Sequence, residues 1–213
     1  TITLFDYGVS ADGAFYYVME LLDGLDTDAL VTRHGPQPPE RVVHILKQAC
    51  HSLSEAHARG LVHRDIKPAN IFLCHYGEDH DFVKVLDFGL VKTLDEPRAP
   101  HPDLTQDNAL PGTPAFMSPE QALGHATLDG RSDIYSLGCV AYWLLTGHTV
   151  FNAPNAMGQL VAHASTPPEP PSRRTAQPIP AELEALVMAC LEKDPGRRPQ
   201  TAREVIQRLD RVE

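Results

Sequence analysis

The most apolar stretch of the sequence, Ile134–Thr146 (IYSLGCVAYWLLT), restricts the fold more than any other segment. Its 13 residues are too few to cross a bilayer as a helix, because a span takes roughly 20 residues. A helix that is apolar on nearly every side must instead be covered by other parts of the chain. We therefore predict a buried helix near 132–146 at the centre of a mainly helical body.

Length and composition agree with such a body. The chain has 213 residues, 42% hydrophobic and 22% charged, which is typical of one globular domain or of one large and one small domain. The formal net charge of −10 argues against a nucleic-acid partner, because a surface of that sign repels phosphates. The four cysteines are widely spaced and form no CxxC pair, which indicates reduced thiols and a cytoplasmic location.

Short strands and further helices are predicted around the central helix. Residues 2–8 and 14–20 are rich in β-branched and aromatic residues and flank a SADG turn, which predicts a β-hairpin. Apolar residues recur at helical spacing from Pro39 to Arg59. Two strand-like segments, NIFL and DFVKVL, flank the polar turn HYGEDH. The remaining predictions are a long exposed loop over 91–115, helices near 118–123, 155–164, 181–192 and 201–211, and a proline-rich connector over 165–180.

The charged segment HRDIKPAN, residues 63–70, has the side chains that chemistry would need. Asp65 could accept a hydroxyl proton, and Lys67, two positions on, would point the same way in an extended loop. Asn70 offers an amide oxygen, a hard ligand suited to Mg²⁺. Asp87 follows 17 residues later, across a strand–turn–strand that would bring its two ends together. A base, a cation and two metal ligands can move a phosphoryl group from a Mg-nucleotide to a hydroxyl.

Four motifs, in this order, resemble those of protein kinases of the serine/threonine class. They are HRDIKPAN, DFG at Asp87–Gly89, GTPAFMSPE at Gly112–Glu120 and DIYSLG at Asp133–Gly138. The resemblance covers essentially the whole chain and is greatest to bacterial kinases of the eukaryotic-like group. It implies an α+β, protein-kinase-like two-lobe fold, here mainly the helical C-terminal lobe with the last strands of the N-terminal lobe.

The same resemblance implies boundaries within the chain. Residues 1–22 would be a remnant of the N-terminal lobe with the hinge, and residues 23–213 would be the C-terminal lobe. The catalytic loop would be 63–70 and the activation segment 87–120. The 213 residues contain no glycine-rich GxGxxG motif and no VAIK-like strand lysine. We therefore expect a fragment or truncated gene product that is inactive or weak by itself.

Individual roles also follow from the resemblance. Asp65 would be the catalytic base, Lys67 would hold the γ-phosphate of ATP, and Thr113 would contact both. Asn70 and Asp87 would bind Mg²⁺. The nucleotide-binding residues would be Met19 as gatekeeper, Glu20–Leu22 as hinge, Asp26 near the ribose, Phe72 with its neighbours Ile71 and Leu73 under the adenine, and Asp87.

Further residues would have structural or regulatory roles. His63 and Phe88 would pack in an internal apolar spine, Glu120 and Arg198 would form a buried ion pair, and Asp133 would cap the catalytic-loop backbone. Arg64 would receive a phosphorylated residue of the activation segment, for which Thr105 is the candidate. Asp107 stands where bacterial relatives often have a second threonine. We hypothesise that it mimics phosphate in part, the alternative being an ordinary solvated aspartate.

The implied activity is transfer of the ATP γ-phosphate to serine or threonine hydroxyls of proteins. Partners would be ATP, protein substrates and a second kinase copy for autophosphorylation. One alternative is a pseudokinase-like interaction module without independent activity. Another is a small-molecule kinase, which Lys67 and the GTPAFMSPE motif disfavour. The expected location is the cytoplasm, either as a free protein or as the cytoplasmic domain of a longer membrane-anchored protein.

Overall fold

The computed structural model describes residues 2–10, 12–77, 79–88 and 114–212, which form a helical body and two small antiparallel sheets. The strands are β1 (Leu4–Val9), β2 (Phe15–Met19), β3 (Gly24–Asp26), β4 (Ile71–Tyr76) and β5 (Asp79–Val85). The α-helices are α1 (Thr27–His34), α2 (Pro39–Ala58), α3 (Pro119–Ala122), α4 (Gly130–Thr146), α5 (Ala156–Ser165), α6 (Ala181–Cys190) and α7 (Ala202–Leu209). Short 3₁₀ turns lie at Pro68–Asn70, Pro114–Phe116, Pro171–Arg173 and Pro195–Arg197.

Helix α4 lies at the centre of the helical body, as its apolar sequence predicts. Tyr135 and Tyr142 are fully buried on it, and it packs against α1, α2 and α6. Asp129 caps its N-terminus by accepting a hydrogen bond from the backbone of Arg131, and Gly147 ends it in the left-handed conformation. Within the described ranges, no helix combines the length and apolar character needed to span a bilayer.

Helix α2 joins the helical body to the second sheet. It packs against α4, α7 and β5. Its Arg41 forms a two-pronged ion pair with Asp81 of β5, at 2.7 and 2.8 Å. Its Gln48 accepts a hydrogen bond from the backbone of Val83 and donates one to the Asp81 carbonyl. These contacts fix β5 on α2 and therefore fix the position of the residues that follow β5.

The two sheets differ in how their side chains are covered. Strands β1 and β2 form the predicted hairpin, with Tyr7 opposite Tyr17, and its aromatic side chains are largely exposed, Tyr7 by 68%. In the second sheet β4 is the middle strand, between β3 and β5. Strand β3 was not predicted, because three residues are too few for a period-two pattern. The predicted six-residue turn was too long, since β4 continues through Tyr76 and β5 begins at Asp79.

Gly24, at the start of β3, allows this strand to approach β4 closely. Its φ is +150°, in the range that favours glycine. A Cβ atom built at this position would lie 1.9 Å from the carbonyl oxygen of Leu73 in β4. No side chain fits there unless the two strands separate, so the pairing of β3 with β4 depends on glycine at position 24.

Gly24→Ala should destabilise the chain more than Gly124→Ala, its matched control. Both glycines have positive φ, but a Cβ at Gly124 would meet no atom within 4 Å. The control should lose only the cost of left-handed backbone, about 1–2 kcal/mol. Gly24→Ala should lose more, because it also separates β3 from β4. The free energy of unfolding is measured by urea titration, and equal losses in the two variants would contradict the close approach.

Candidate active site

A buried carboxylate on α4 fixes the loop that contains Asp65. Asp133 is 1% exposed; its Oδ2 accepts a hydrogen bond from the backbone N–H of His63 at 2.9 Å and its Oδ1 one from that of Arg64 at 2.9 Å. Arg64 has a φ of 69°, which is unfavourable for a non-glycine residue. The carboxylate thus stabilises a strained backbone next to Asp65. This is the backbone contact that the sequence motif implied for Asp133.

A histidine that sequence reasoning missed completes this contact. His57, near the end of α2, has its Nε2 2.8 Å from Asp133 Oδ2. A Cβ at Gly130 would lie 2.6 Å from the His57 Nδ1, so a side chain at this position would displace the ring. The pair is 76 residues apart in sequence, and the spacing of a single histidine gives no signal for such a contact.

His63 links the loop to the residues after β5. Its Nε2 lies 2.7 Å from the carbonyl oxygen of Leu86, and its Nδ1 lies 3.3 Å from the backbone N–H of Asp65. A carbonyl can only accept and an N–H can only donate, so this arrangement assigns the ring proton to Nε2. The ring also meets that of Phe88 edge to face, with centroids 4.7 Å apart. The structure therefore brings together the two members expected of the internal spine.

Lys67 and Asn70 both contact the carboxylate of Asp65. Lys67 Nζ lies 2.7 Å from Asp65 Oδ2. The amide nitrogen of Asn70 donates to the Asp65 carbonyl at 2.8 Å and is 3.3 Å from the same Oδ2. The hydroxyl of Thr27, at the start of α1, donates to the carbonyl of Pro68 and so anchors the loop from the other side. Asp65 Oδ1 has no hydrogen bond to a described residue and its side chain is 42% exposed.

Asn70 and Asp87 lie at adjacent ends of the β4–β5 pair, as the strand–turn–strand pattern predicts. The carbonyl of Asn70 accepts a hydrogen bond from the N–H of Leu86 at 2.9 Å, and Ile71 is opposite Val85. Asp87 has a φ of 57°. The amide nitrogen of Asn70 is hydrogen-bonded to Asp65. The amide oxygen of Asn70 and the carboxylate of Asp87 have no partner within the described part of the chain.

These oxygens fit a magnesium ion better than a softer metal. Mg²⁺ commonly takes one or two protein oxygens and completes its shell with water and phosphate. Among the described residues, no group of three or more His, Cys, Asp or Glu side chains could hold a metal ion. A donor set of one amide and one carboxylate oxygen matches a Mg²⁺ bound mainly by its nucleotide.

The expected hinge has free backbone groups, but its acid is used for structure. Glu20 accepts a hydrogen bond from the Thr3 N–H at 2.7 Å through Oε1 and pairs with Lys84 at 2.5 Å through Oε2. The hydrogen bond from Lys84, aided by that from Thr3, lowers the pKa of Glu20. The Glu20 N–H is engaged by the Thr3 carbonyl. The Glu20 carbonyl and the Leu22 N–H have no partner among the described residues.

The other nucleotide candidates lie on β2, β3 and β4. Asp26 is opposite Phe72 in the β3–β4 pair, and its Oδ1 caps α1 by accepting a hydrogen bond from Ala29 N at 2.7 Å. Ile71 and Leu73 are buried in the helical core. Only Phe72, half-buried on the opposite face, can therefore meet a ligand, which corrects the expectation for its two neighbours. Met19 ends β2, half-buried.

The expected ion pair between Glu120 and Arg198 is present and fully hydrogen-bonded. Arg198 donates to both Glu120 oxygens at 2.8 Å, and its other three N–H groups reach backbone carbonyls, those of Arg131, Glu192 and Lys193. Burial raises the pKa of Glu120, but hydrogen bonds from Arg198 and Ser132 outweigh it, so the pKa lies below its ordinary value. This pair fastens α3 to the turn before α7.

A second contact joins α3 to the catalytic loop. Gln121 belongs to a capping box with Ser118 and donates its amide N–H to the carbonyl of Arg64 at 2.7 Å. The guanidinium of Arg64 has no hydrogen bond or ion pair to any residue of the described part, and it is half-buried. Thr105, Asp107 and Thr113, the three candidates in the activation segment, lie outside the described residues.

Comparisons with a family model and with known proteins give matches over nearly the whole chain. The chain matches the family model for the protein kinase domain over residues 2–209. It is 40% identical over 203 residues to the serine/threonine-protein kinase pkn3 of Myxococcus xanthus, covering 95% of this chain and 37% of that protein. It is 42% identical over 197 residues to the serine/threonine-protein kinase PknB of Mycolicibacterium smegmatis, covering 92% of this chain and 30% of that protein.

Solved structures give the same fold. The Mycobacterium tuberculosis PknI kinase domain superposes with a TM-score of 0.72 at 24% identity, covering 98% of this chain and 70% of that chain. Rad53 1–466 in complex with AMP-PNP gives a TM-score of 0.76 at 25% identity, covering 96% of this chain and 48% of that chain. The predicted α+β, kinase-like fold is confirmed. The chain spans only 37% and 30% of the two sequence relatives.

Arg198→Leu should lower the free energy of unfolding by about 3–5 kcal/mol, because it leaves Glu120 as an unpaired buried charge. Arg197→Leu is the matched control. Its side chain is 70% exposed and lies 3.7 Å from Glu192, so its loss should cost at most about 1 kcal/mol. Urea titration at pH 7 measures both variants. Similar losses at the two neighbouring positions would contradict the importance of the buried pair.

The effect of Arg198→Leu should also depend on pH in a defined direction. The pKa of Glu120 is lowered in the folded parent, so its stabilisation is present above the ordinary value of 4.5 and is lost as pH falls through the folded pKa. The difference in free energy of unfolding between parent and variant should therefore shrink below about pH 4.5. A constant difference from pH 7 to pH 3 would count against this account.

Proposed function

This chain belongs to the protein kinase domain family, and from that premise we propose that it carries the catalytic residues of a serine/threonine protein kinase. The reaction is transfer of the ATP γ-phosphoryl group to serine or threonine hydroxyls of proteins. The observation that carries the proposal is the Asp65 carboxylate, which holds Lys67 on one oxygen and leaves the other open. The named relatives, both serine/threonine-protein kinases, support the same substrate class.

In the proposed reaction Asp65 acts as the base. Its Oδ1 accepts the hydrogen bond of the substrate hydroxyl and orients the hydroxyl oxygen toward the γ-phosphorus. As the new oxygen–phosphorus bond forms, the bond to the oxygen that bridges to the β-phosphate breaks, and the hydroxyl proton passes to Asp65. Lys67, 2.7 Å from Oδ2, offsets the negative charge of the group in transfer. Asn70 restrains the loop by donating to the Asp65 carbonyl.

Residues for the nucleotide and its metal are proposed from the same geometry. The Asn70 oxygen and the Asp87 carboxylate would hold Mg²⁺, which when bound neutralises charge on the phosphates. The unengaged Glu20 carbonyl and Leu22 N–H offer an acceptor and a donor for the adenine edge. Phe72 offers an apolar surface, and Asp26 retains its second oxygen, Oδ2, for a ribose hydroxyl. Rad53, a structural neighbour, was solved in complex with AMP-PNP, which supports a nucleotide in this cleft.

Regulation and location are part of the proposal. The guanidinium of Arg64, which has no partner within the described part of the chain, offers a site for a phosphate, and we assign that phosphate to Thr105, added by a second copy of the kinase. All four cysteines are free and buried, which suits the reducing cytoplasm. The division into residues 1–22 and 23–213 is retained as a proposal, with Glu20 and Lys84 bridging the hairpin and the second sheet. No observation favours the interaction-module alternative, because Asp65 and Asp87 are both present.

Asp65→Asn should reduce phosphoryl transfer at least about 100-fold, because removal of a general base typically costs 10²–10⁴ in rate. The measurement is phosphate incorporation from labelled ATP into a basic, serine-containing protein, with the full-length protein as enzyme. Asp210→Asn is the control, since this exposed carboxylate forms an ion pair with Lys47 on the surface. Retained activity in Asp65→Asn, at the level of the control, would exclude Asp65 as the base.

Thr105→Ala should lower activity only several-fold if Asp107 supplies part of the negative charge that Arg64 receives. The double variant Thr105→Ala, Asp107→Asn should then lose clearly more activity than Thr105→Ala alone. Both are assayed beside Asp65→Asn in the full-length protein. A Thr105→Ala variant as inactive as Asp65→Asn would show that the acid does not replace phosphate.

A further inference from the structure

His163 is buried on a helix that is otherwise at the surface. It is 0% exposed and is the only fully buried residue of α5, whereas Met157 and Val161 on the same helix are more than half exposed. Its Nε2 lies 3.0 Å from the carbonyl oxygen of Ala115, and its Nδ1 lies 3.0 Å from the hydroxyl oxygen of Tyr135. The imidazole therefore joins α5 to α4 and to the 3₁₀ turn Pro114–Phe116.

The hydrogen bonds of His163 allow one arrangement of protons. The Ala115 carbonyl can only accept, so Nε2 carries the ring proton and Nδ1 is an acceptor. The Tyr135 hydroxyl must then donate to Nδ1, and its oxygen accepts from Lys193 Nζ at 3.2 Å. The same ammonium donates to the carbonyls of Ala162 and His163 at 3.3 and 2.9 Å. Every polar group in this buried cluster has a partner.

The surroundings keep the imidazole neutral. Burial, together with the nearby charge of Lys193, lowers the pKa of His163 to about 4. Arg198 also lies beside the cluster, with its guanidinium 4.9 Å from the centre of the Tyr135 ring and hydrogen-bonded to Glu120. The ring of Phe151 closes the remaining side, 5.0 Å from that of His163. A neutral imidazole has one donor and one acceptor nitrogen. Its donor, Nε2, must face the Ala115 carbonyl, and its acceptor, Nδ1, must face the Tyr135 hydroxyl.

Ala115 lies in a segment that borders the catalytic loop. Residues 114–118 lead into α3, where Gln121 donates to the carbonyl of Arg64, the residue before Asp65. The segment is thus fixed at one end to the catalytic loop and at the other to α5 through His163. A protein substrate that presents a hydroxyl to Asp65 must lie against this border. A shift of Ala115 would therefore change how the substrate chain sits relative to Asp65.

We propose that His163 is a positioning residue for the protein substrate, holding residues 114–118 in register with the catalytic loop through its bond to Ala115. The inference rests on the proposed kinase function. It assigns no role to His163 in binding ATP, because its contacts lead to the turn that carries Ala115 and to α4. Loss of the bond should therefore weaken protein-substrate binding selectively.

The test is steady-state kinetics of the full-length protein with a basic, serine-containing protein as acceptor. His163→Phe keeps a ring of similar size but removes the donor to Ala115. We expect its KM for the acceptor to rise about tenfold, the usual effect of losing one hydrogen bond, with the KM for ATP unchanged. His163→Gln retains an amide N–H at a position close to that of Nε2, and it should recover most of the loss. Tyr135→Phe removes the donor to Nδ1 but keeps the bond from Nε2 to Ala115, and its KM for the acceptor should lie between those of the two His163 variants.

A purely structural role would give a different result. A smaller folded fraction would lower the apparent kcat and leave both KM values unchanged, and that outcome in His163→Phe and His163→Gln would overturn the proposal. A parent protein without activity would overturn the proposed function as well, whereas an active parent with unchanged KM values overturns only the positioning role. Ring ¹⁵N NMR should also find the His163 proton on Nε2, and a proton on Nδ1 would contradict the contact with Ala115.

Discussion

Asp133 places a carboxylate in the interior of the helical body, 1% exposed, where it receives hydrogen bonds from His57, His63 and Arg64. A carboxylate without partners would cost several kcal/mol in such a place. Here the hydrogen-bond donors of His57, His63 and Arg64 offset that cost. The end of α2 and the start of the catalytic loop are held to one point on α4. The central helix is therefore the reference for the site.

This fixed point makes an unusual backbone tolerable. Arg64 and Asp87 both have positive φ, at 69° and 57°, and such conformations cost on the order of 1–3 kcal/mol each. The two strained residues flank the contact of His63 with Leu86 and Phe88. The hydrogen bonds to Asp133 stabilise one strained residue, and the hydrogen bond from the Leu86 N–H to the Asn70 carbonyl, just beyond β5, restrains the other. The positions of both carboxylates in the proposed reaction therefore depend on strained backbone that the core stabilises. Asp65 follows the strained residue Arg64, and Asp87 is itself the other strained residue.

The fold was predictable where the signal is local and repeated. Helices α2 and α4 are long enough for their apolar periodicity to be read, and the β1–β2 hairpin is marked by its SADG turn. Strand β3 has only three residues, and it exists because Gly24 lets the chain approach Leu73, about fifty positions away. The extent of β5 was underestimated for a related reason. Asp79 and His80 of the predicted turn belong to β5, and they precede Asp81, which forms an ion pair with Arg41 on a distant helix.

The candidate site likewise has a part that could be predicted from local sequence and a part that could not. Asp65, Lys67 and Asn70 are close in sequence, so residue types and spacing are sufficient to group them, and Asp87 joins them through one hairpin. The part played by Glu20 was not predictable, because its acid group is used by Lys84, 64 positions later.

His57 and His163 had no sequence signal at all. Their partners are Asp133 and Ala115, at separations of 76 and 48 residues. Neither histidine is expected to touch a substrate. Each instead forms a hydrogen bond that restrains part of the proposed site, because a buried polar group must find its partner wherever the fold brings one. The residues proposed for the chemistry can therefore be recognised from short sequence motifs. The relative positions of these residues depend on single polar side chains that only the three-dimensional structure identifies.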